Sequence, residues 1–178
     1  MTRNRIINNI LIYSAFILII FFIVIFIFSH NNFTSIKKNF ITPSPIQYSM
    51  AKVIRIIDGD TVEIDSKRLV RYIGMNTPEL NILTNKKAEC YSQEAKNRNS
   101  ELVEGKIVKL IKDISETDKY NRLLRYVYMN DQLVNKQLVT EGYAKTMPIR
   151  PDINHAQEFF QEEKLAKLNK VGLWKVCY

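Results

Sequence analysis

The chain has 178 residues and a formal net charge of +8, from 26 Lys and Arg against 18 Asp and Glu. This length suits one domain with an appendage, and the basic charge favours a polyanionic partner such as nucleic acid or anionic lipid. His30, His155 and the two cysteines lack zinc-site spacing, and no Gly-rich phosphate loop with a lysine occurs, which excludes zinc and P-loop chemistry.

The chain begins with a long apolar stretch. The nineteen residues Ile10–Phe28 carry no charge and are mostly Ile, Phe, Leu and Val, and such a helix is about 28 Å long, close to the ~30 Å bilayer hydrocarbon. Arg3 and Arg5 precede the stretch, which favours a cytoplasmic N-terminus and a domain outside the cytoplasm. We predict that residues 1–30 form a transmembrane anchor. A cleaved signal peptide, secreting the domain, is the alternative, disfavoured by the length of the stretch and the lack of a small-x-small site.

The next segment, residues 31–49, is polar, contains Pro43 and Pro45, and has no sustained apolar period. This composition predicts a linker. A single domain over residues 50–178 follows it.

Within that domain the residue pattern predicts five strands and about three helices. The predicted strands are Val53–Ile57, Thr61–Asp65, Leu69–Ile73, Ile107–Ile111 and Leu123–Tyr128. The predicted helices are Ser92–Glu104, Leu133–Glu141 and a last helix capped by Asp152 or Asn154 with Ala156, Phe159, Phe160 and Ala166 inward. One helix before the fourth strand suits a closed OB-type barrel, so the predicted class is α+β, mainly β.

The two cysteines, Cys90 and Cys177, lie before the first predicted helix and near the end of the sequence. An even count beyond an apolar N-terminal segment fits a disulfide that fastens the C-terminal region to the body. Two free thiols are the alternative, since sequence does not measure their separation.

Four short elements supply the parts needed to hydrolyse a phosphodiester. They provide carboxylates for a hard metal ion, a spare carboxylate for proton transfer and two arginines for a phosphate. Each alone has an ordinary structural explanation, since Asp-Gly is a common turn and a lone Glu or Arg is usually exposed. The elements are IDGDTV at Ile57–Val62, Arg71, NTPE at Asn76–Glu79, and TDKYNR at Thr117–Arg122.

At these residues the chain resembles the staphylococcal nuclease (thermonuclease) family, whose pattern is roughly DGDT, R-x-x-x-x-D-T-P-E and D-x-Y-G-R, over about Met50–Trp174. The resemblance implies a Ca²⁺-dependent nuclease acting on DNA and RNA. Water attacks phosphorus, the P–O5′ bond breaks and 3′-phosphate ends result. The implied roles are metal binding by Asp60, Asn76 and the Thr77 carbonyl, proton abstraction by Glu79, phosphate binding by Arg71 and Arg122, and nucleotide binding by Lys119 and Tyr120.

Three positions depart from the family pattern. Asn76 replaces an aspartate, which removes a negative charge worth on the order of one to several kcal/mol at close range and predicts weaker Ca²⁺ binding. Asn121 replaces a glycine, a mild change because Asn tolerates a left-handed backbone. Residues 146–150 hold no aromatic side chain where the archetype has tyrosines, so substrate preference differs, and Arg150 supplies a phosphate contact instead.

The sequence therefore predicts a membrane-anchored, Ca²⁺-dependent, monomeric nuclease that cleaves single-stranded DNA or RNA and also duplex DNA, with no obligate protein partner. A non-catalytic nucleic-acid-binding module is the main alternative, and Asn76 is the residue that favours it. A tethered adaptor that binds a protein or lipid through its basic surface is a third possibility.

Overall fold

A computed structural model describes residues 17–27, 47–81 and 86–178. The chain divides into two compact units, Met1–Pro43 and Ser44–Tyr178. Residues 50–178, predicted as one domain, fall within the second unit, and residues 1–30 fall within the first.

In the first unit, residues 17–27 form helix α1, whose side chains are exposed. The predicted apolar stretch Ile10–Phe28 extends beyond this helix on both sides, and its remaining residues lie outside the described part of the chain, as do residues 31–46 of the predicted linker. Among the residues that the structure describes, no helix combines the length and the apolar character needed to cross a membrane.

Within residues 47–81 and 86–178, the structure describes eight strands, five of which form a barrel. The strands are β1 (Tyr48–Asp58), β2 (Thr61–Ile64), β3 (Leu69–Tyr72), β4 (Met75–Asn76), β5 (Ile107–Ile111), β6 (Leu123–Met129), β7 (Gln132–Leu133) and β8 (Lys145–Thr146). Burial alternates along β5, because successive side chains of a strand point to opposite faces, whereas β3 and β6 each hold three consecutive buried residues.

The barrel closes because β1 is shared between two neighbours. Its first half, Tyr48–Lys52, pairs antiparallel with β5, and its second half, Val53–Asp58, pairs antiparallel with β2. Register shifts in the second half mark bulges, which bend a strand and increase its twist. The order β3-β2-β1-β5-β6 is completed by a parallel pairing of β3 with β6. The predicted five-stranded barrel of OB type is confirmed.

Four helices accompany the barrel in the described part of the second unit, one more than predicted. The additional helix, α5, has only one turn and contains Trp174. The helices are α2 (Ser92–Val103), α3 (Val134–Thr140), α4 (Ala156–Leu168) and α5 (Leu173–Val176).

Two glycines let α5 pack against the end of α3. A Cβ atom on Gly142 would lie 2.4 Å from the Val171 carbonyl oxygen, and one on Gly172 would lie 2.3 Å from the Gly142 carbonyl oxygen. The Leu173 amide also donates to the Gly142 carbonyl over 2.9 Å. This close backbone approach requires residues without side chains.

The barrel interior is filled mainly by β-branched side chains. Removing each one from water contributes about 1.5–3 kcal/mol to the folded state. The fully buried valines on the barrel strands are Val53, Val62, Val70, Val108 and Val127.

The predicted disulfide between Cys90 and Cys177 is confirmed, with a Cα–Cα separation of 6.0 Å. Cys90 lies just before α2, and Cys177 follows α5 directly. The bond therefore joins the segment leading into α2 to the C-terminal helix.

Two details of the predicted last helix were wrong. Phe160 is 46% exposed, whereas Phe159 is fully buried. The N-terminal cap of α4 is His155, without a side-chain capping bond. Asp152 does not cap the helix, because its Oδ1 instead accepts hydrogen bonds from the Ile114 and Ser115 amides.

Strand β1 begins at Tyr48, two residues before the predicted domain boundary.

Candidate active site

The predicted site residues meet at one cavity of about 480 Å³. It lies where the β1–β2 turn, the end of β3 and the segment after β4 face the loop between β5 and β6. Thr77 is buried behind the wall, beside Asp60. The other seven predicted site residues line the cavity: Asp60, Arg71, Asn76, Glu79, Lys119, Tyr120 and Arg122.

Asp60 is buried at the base of the cavity and is 3% exposed. Its Oδ1 accepts from the Thr61 hydroxyl at 3.0 Å, and its Oδ2 accepts from the Thr77 amide at 2.9 Å and the Thr77 hydroxyl at 3.1 Å. Gly59 permits this arrangement, because a Cβ there would lie 2.7 Å from the Thr77 side chain. The Asp-Gly turn thus does more than reverse the chain: it brings two loops close enough to share one carboxylate.

Arg71 is the cationic partner of this carboxylate. Its Nη2 lies 3.2 Å from Asp60 Oδ2, and the residue is 7% exposed. Its Nη1 donates to the carbonyls of Tyr72 and Met75 at 2.9 and 3.0 Å, and its Nη2 donates to Asn76 Oδ1 at 2.7 Å. A buried guanidinium with this many acceptors has a fixed direction, so the fold holds Arg71 in place before any substrate arrives.

Asn76 connects Arg71 to the predicted metal-binding carbonyl. While its Oδ1 accepts from Arg71, its Nδ2 donates to the Thr77 carbonyl at 3.0 Å. The amide orientation follows from this hydrogen-bond network. An aspartate here would carry a negative charge and would not donate to the Thr77 carbonyl. The amide of Asn76 therefore lacks that charge and also hydrogen-bonds to the carbonyl predicted to bind the metal.

The predicted metal ligands are of the chemical type that a hard cation prefers. Asp60, Asn76 and Thr77 offer a carboxylate, an amide oxygen and a backbone carbonyl, which are the oxygen donors that Ca²⁺ takes together with water. In the described part of the chain, no group of three or more His, Cys, Asp and Glu side chains is placed to hold a metal ion. The fit therefore depends mainly on Asp60 and the Thr77 carbonyl, because Arg71 engages the Asn76 oxygen.

Glu79 lines the cavity beside two further carboxylates. Partial burial and repulsion from Asp58 and Asp60 raise the pKa of Glu79 to about 7, against the lowering effect of Arg71. Burial, with Asp60 nearby, also raises the pKa of Asp58. A carboxyl group with a pKa near neutrality is suited to exchanging a proton with water.

The backbone of Glu79 is clamped by Glu89. The Glu79 amide donates to Glu89 Oε2 at 3.0 Å, and the Glu89 amide donates to the Glu79 carbonyl at 2.9 Å. Cys90 comes next in the chain and is bonded to Cys177. The disulfide therefore secures the segment that holds the Glu79 backbone.

Arg122 is held by Asp118, four residues earlier. Its Nε and Nη2 both lie 2.7 Å from Asp118 Oδ2, and its Nη1 reaches the Thr61 hydroxyl at 3.5 Å. Asp118 Oδ1 also accepts from the amides of Tyr120 and Arg122 at 2.9 and 3.0 Å. Asn121 completes the turn with a φ of 63°, the left-handed conformation expected at the usual glycine position. Asp118 fixes the loop and the guanidinium together.

Lys119 and Tyr120 stand at the rim of the cavity. The Tyr120 ring is 67% exposed, and its centroid lies 5.0 Å from Lys119 Nζ and 5.4 Å from Arg122 Cζ. Two cations beside an open ring offer both charge and a stacking surface.

Residues 146–150 contribute no aromatic ring to the wall of the cavity, as the sequence indicates. Asp152 supports this wall, because its bonds to Ile114 and Ser115 tie it to the loop after β5. The side chains from this stretch that line the cavity are Met147, Ile149 and Arg150.

The sequence did not predict the structural roles of three residues at the site. Asp118 and Asp58 belong to the recognised motifs, so the sequence indicates that they lie near the site but does not indicate which residues they contact. Glu89 carried no sequence signal, because its bonds to Glu79 depend on how the chain between them folds.

Comparison with known proteins identifies relatives of this chain. A family model described as "Staphylococcal nuclease homologue" matches residues 69–176. A thermonuclease of Staphylococcus hyicus is 33% identical over 126 residues, which cover 69% of this chain and 74% of that protein. A thermonuclease of Staphylococcus intermedius is 32% identical with the same coverage.

A third relative is the endonuclease YncB of Bacillus subtilis strain 168. It is 36% identical over 128 residues, covering 67% of this chain and 59% of YncB. The match therefore leaves a substantial part of YncB without a counterpart here.

Proposed function

The chain belongs to the staphylococcal nuclease homologue family, and on this basis we propose that it is a Ca²⁺-dependent nuclease that hydrolyses DNA and RNA. The observation that carries the proposal is the convergence of Asp60, Arg71, Glu79 and Arg122 on one cavity. Phosphodiester hydrolysis requires a proton acceptor and positive charge at the phosphate, and this cavity offers both.

The two guanidinium groups would bind the scissile phosphate. Arg71 and Arg122 both line the cavity. They are connected through two residues, because Arg71 pairs with Asp60, the Thr61 hydroxyl donates to Asp60, and Arg122 contacts that hydroxyl. A guanidinium group donates hydrogen bonds to phosphate oxygens and stays charged. Charge that develops on the phosphate oxygens in the transition state is therefore met by groups already in position.

Glu79 would take the proton from the attacking water. The water oxygen bonds to phosphorus as the P–O5′ bond breaks, and the departing O5′ takes a proton from solvent and leaves as a hydroxyl, which gives a 3′-phosphate end. The raised pKa of Glu79 places its proton affinity near neutral pH. The clamp from Glu89 keeps its backbone fixed.

The Ca²⁺ ion would be held by Asp60, the Thr77 carbonyl and Asn76. When bound, a cation here neutralises charge on the phosphate as a Lewis acid. Lys119 and Tyr120 at the rim would bind the adjoining nucleotide, and the exposed Tyr120 ring suits an unpaired base. Single strands are therefore the preferred form of the substrate.

A cleavage assay tests this proposal. Incubation of the purified chain with a fluorescently labelled single-stranded oligonucleotide should give fragments with Ca²⁺ and none with EDTA. Glu79→Gln should abolish cleavage while leaving binding intact. Arg55→Ala is the matched control, because Arg55 pairs with Glu63 on the surface with 65% of its side chain exposed. Equal cleavage by Glu79→Gln would contradict the assigned base.

One observation favours a second function, a module that binds nucleic acid without cleaving it. Asn76 supplies no charge and donates to the Thr77 carbonyl, which weakens the candidate metal site. Tight binding without cleavage at any Ca²⁺ concentration would establish this alternative. Cleavage restored by Asn76→Asp alone would identify that residue as the cause.

We further propose that the N-terminal segment tethers a monomeric domain to a membrane, outside the cytoplasm. The uncharged stretch Ile10–Phe28 and the preceding Arg3 and Arg5 support this placement. Protease added to intact cells should remove the domain and leave the segment in the membrane fraction. Recovery of the domain in the medium would indicate that the segment is a cleaved signal peptide.

A further inference from the structure

A group of lysine and aromatic side chains lies outside the cavity, and we call it the lysine–aromatic patch: Lys145, Lys167, Trp174 and Tyr178. The rings of Trp174 and Tyr178 stack with centroids 5.2 Å apart and an interplanar angle of 28°. Lys145 Nζ lies 5.8 Å from the Trp174 centroid and 5.0 Å from that of Tyr178, and Lys167 Nζ lies 4.4 Å from that of Trp174. Tyr178 is 74% exposed, so it faces solvent beside the Lys145 ammonium.

The positive charge of the patch is incompletely balanced. Lys167 pairs with Glu163 at 3.1 Å. Lys145 has no carboxylate partner among the described residues, and its ammonium donates to the Tyr178 hydroxyl. An exposed cation whose contacts are aromatic rings can accept a phosphate without first losing a salt bridge.

The patch adjoins the candidate active site through the β4–β8 ribbon. Lys145 of β8 pairs directly opposite Asn76 of β4, and directly opposed residues of an antiparallel pair project from the same face. Asn76 lines the cavity. Lys145 therefore stands beside the cavity margin formed by the predicted metal ligands.

The fold also holds the rings in this position. Trp174 belongs to α5, which packs on the end of α3 through Gly142 and Gly172. The disulfide from Cys177 fastens the residue just before Tyr178 to Cys90. A stacking surface fixed in this way loses little freedom when a base binds.

We propose that the lysine–aromatic patch is a second nucleotide subsite, which binds a flanking nucleotide of a single-stranded nucleic acid while the scissile phosphate lies between Arg71 and Arg122. A base stacks on the Tyr178 ring, and Lys145 contacts the adjoining phosphate. This inference rests on the proposed nuclease function and adds a substrate class: strands long enough to span both the cavity and the patch.

The patch also accounts for the missing aromatics of the cavity wall. Residues 146–150 contribute Met147, Ile149 and Arg150 to the cavity and no ring. Tyr120 is exposed at the loop between β5 and β6, and Tyr178 is exposed beside β8. The subsite therefore supplies base stacking from the β8 side, where the wall itself has none.

The single tryptophan of the sequence makes this subsite directly observable. Trp174 emission of the full chain is measured while a twenty-nucleotide oligo-dT is added in EDTA, which prevents Ca²⁺-dependent cleavage. The expected result is a saturable change in emission, with an affinity lowered on the order of tenfold in Tyr178→Ala and Lys145→Gln. Lys175→Gln, a neighbouring exposed lysine outside the patch, is the control and should bind as the parent does.

Kinetics with two substrate lengths provides the second measurement. With Ca²⁺, Lys145→Gln should raise the KM for the twenty-nucleotide strand about tenfold and leave that for a dinucleotide within about twofold. For the same variant, the slope of the logarithm of the binding constant against the logarithm of the salt concentration should become shallower by about 0.7 with the twenty-nucleotide strand, because one phosphate contact is lost. Melting temperatures equal to that of the parent would verify that the variants are folded.

The outcomes separate this proposal from the nuclease assignment. Unchanged Trp174 emission together with parental affinity in both variants would overturn the subsite. Equal rises in KM for both substrate lengths would also overturn it, since a residue acting inside the cavity affects short substrates too. If the parent cleaves nothing but Trp174 emission responds as expected, the subsite stands and only the nuclease assignment fails.

Discussion

The two arginines proposed to bind the scissile phosphate, Arg71 and Arg122, are held in opposite ways. Arg71 projects from a barrel strand and is 7% exposed. It donates to two backbone carbonyls and contacts the side chains of Asn76 and Asp60. Arg122 follows an exposed loop, keeps 27% of its side chain exposed and depends on Asp118. One arginine is therefore part of the folded core, and the other is a surface residue fixed by a single carboxylate. Changes at these positions should affect stability and activity in different proportions.

The largest effect is expected for Arg71→Ala. Removing one partner of a buried ion pair leaves the other charge unpaired and costs about 3–5 kcal/mol. Three acceptors in addition to Asp60 lose their donor at the same time. Urea unfolding should show this loss, and cleavage should fall by a hundredfold or more where the variant is folded. Arg55→Ala, whose pair with Glu63 is exposed, should cost less than about 1 kcal/mol.

Arg122→Ala should separate activity from stability. The Arg122–Asp118 pair is partly exposed, and such pairs contribute at most about 1 kcal/mol. Loss of a phosphate-binding group should nevertheless lower kcat by a hundredfold or more. Parallel urea unfolding and single-turnover cleavage measure the two quantities. A loss of stability as large as that in Arg71→Ala would show that the two arginines do not differ as the structure indicates.

The third prediction concerns the residue that Arg71 engages. Asn76→Asp adds a carboxylate beside Arg71 and removes the amide that donates to the Thr77 carbonyl. Calorimetric titration should show Ca²⁺ binding at least about tenfold tighter, because a charge at close range contributes on the order of one to several kcal/mol. Equal affinity in the two proteins would mean that residue 76 is not a ligand.

The difference between these regions also explains how far the sequence could predict the structure. Strands were predictable because short runs of β-branched and other apolar residues are bounded by turn residues, with alternation in Thr61–Asp65, and the motif order indicated which side chains belong to one site. The burial of Arg71 was not predictable, since an arginine in a strand is usually exposed. Its acceptors at Tyr72 and Met75 depend on the path of the chain after β3.

Other features needed the tertiary structure. Helix α5 has four residues, too few for a periodic pattern, and its packing depends on Gly142 and Gly172. The pairing of β4 with β8 joins two-residue strands far apart in sequence. No local propensity specifies such a contact, which is why the position of Lys145 beside Asn76 became visible only in the fold.

A smaller effect is expected for Asp118→Asn. The amide oxygen can still accept from the Tyr120 and Arg122 backbones, but the charge opposite the Arg122 guanidinium is lost. A partly exposed pair contributes up to about 1 kcal/mol, so kcat should fall by about fivefold. Because Asp118 acts through Arg122, the double variant Asp118→Asn/Arg122→Ala should be no slower than Arg122→Ala alone. A further fivefold loss in the double variant would show that Asp118 acts independently.

The smallest expected effect is a dependence of stability on pH through the same carboxylate. Burial acts to raise the pKa of Asp118, but hydrogen bonds from the Arg122 backbone and side chain and the Tyr120 amide outweigh it and lower the pKa below its usual value. The unfolded state therefore binds the proton more tightly, and the contribution of Asp118 to stability is present above about pH 4 and is lost as the pH falls through the folded-state value. The unfolding free energy of the parent should exceed that of Asp118→Asn at pH 7, and the difference should shrink towards pH 3. A difference that stays constant over this range would mean that the charge of Asp118 does not stabilise the loop.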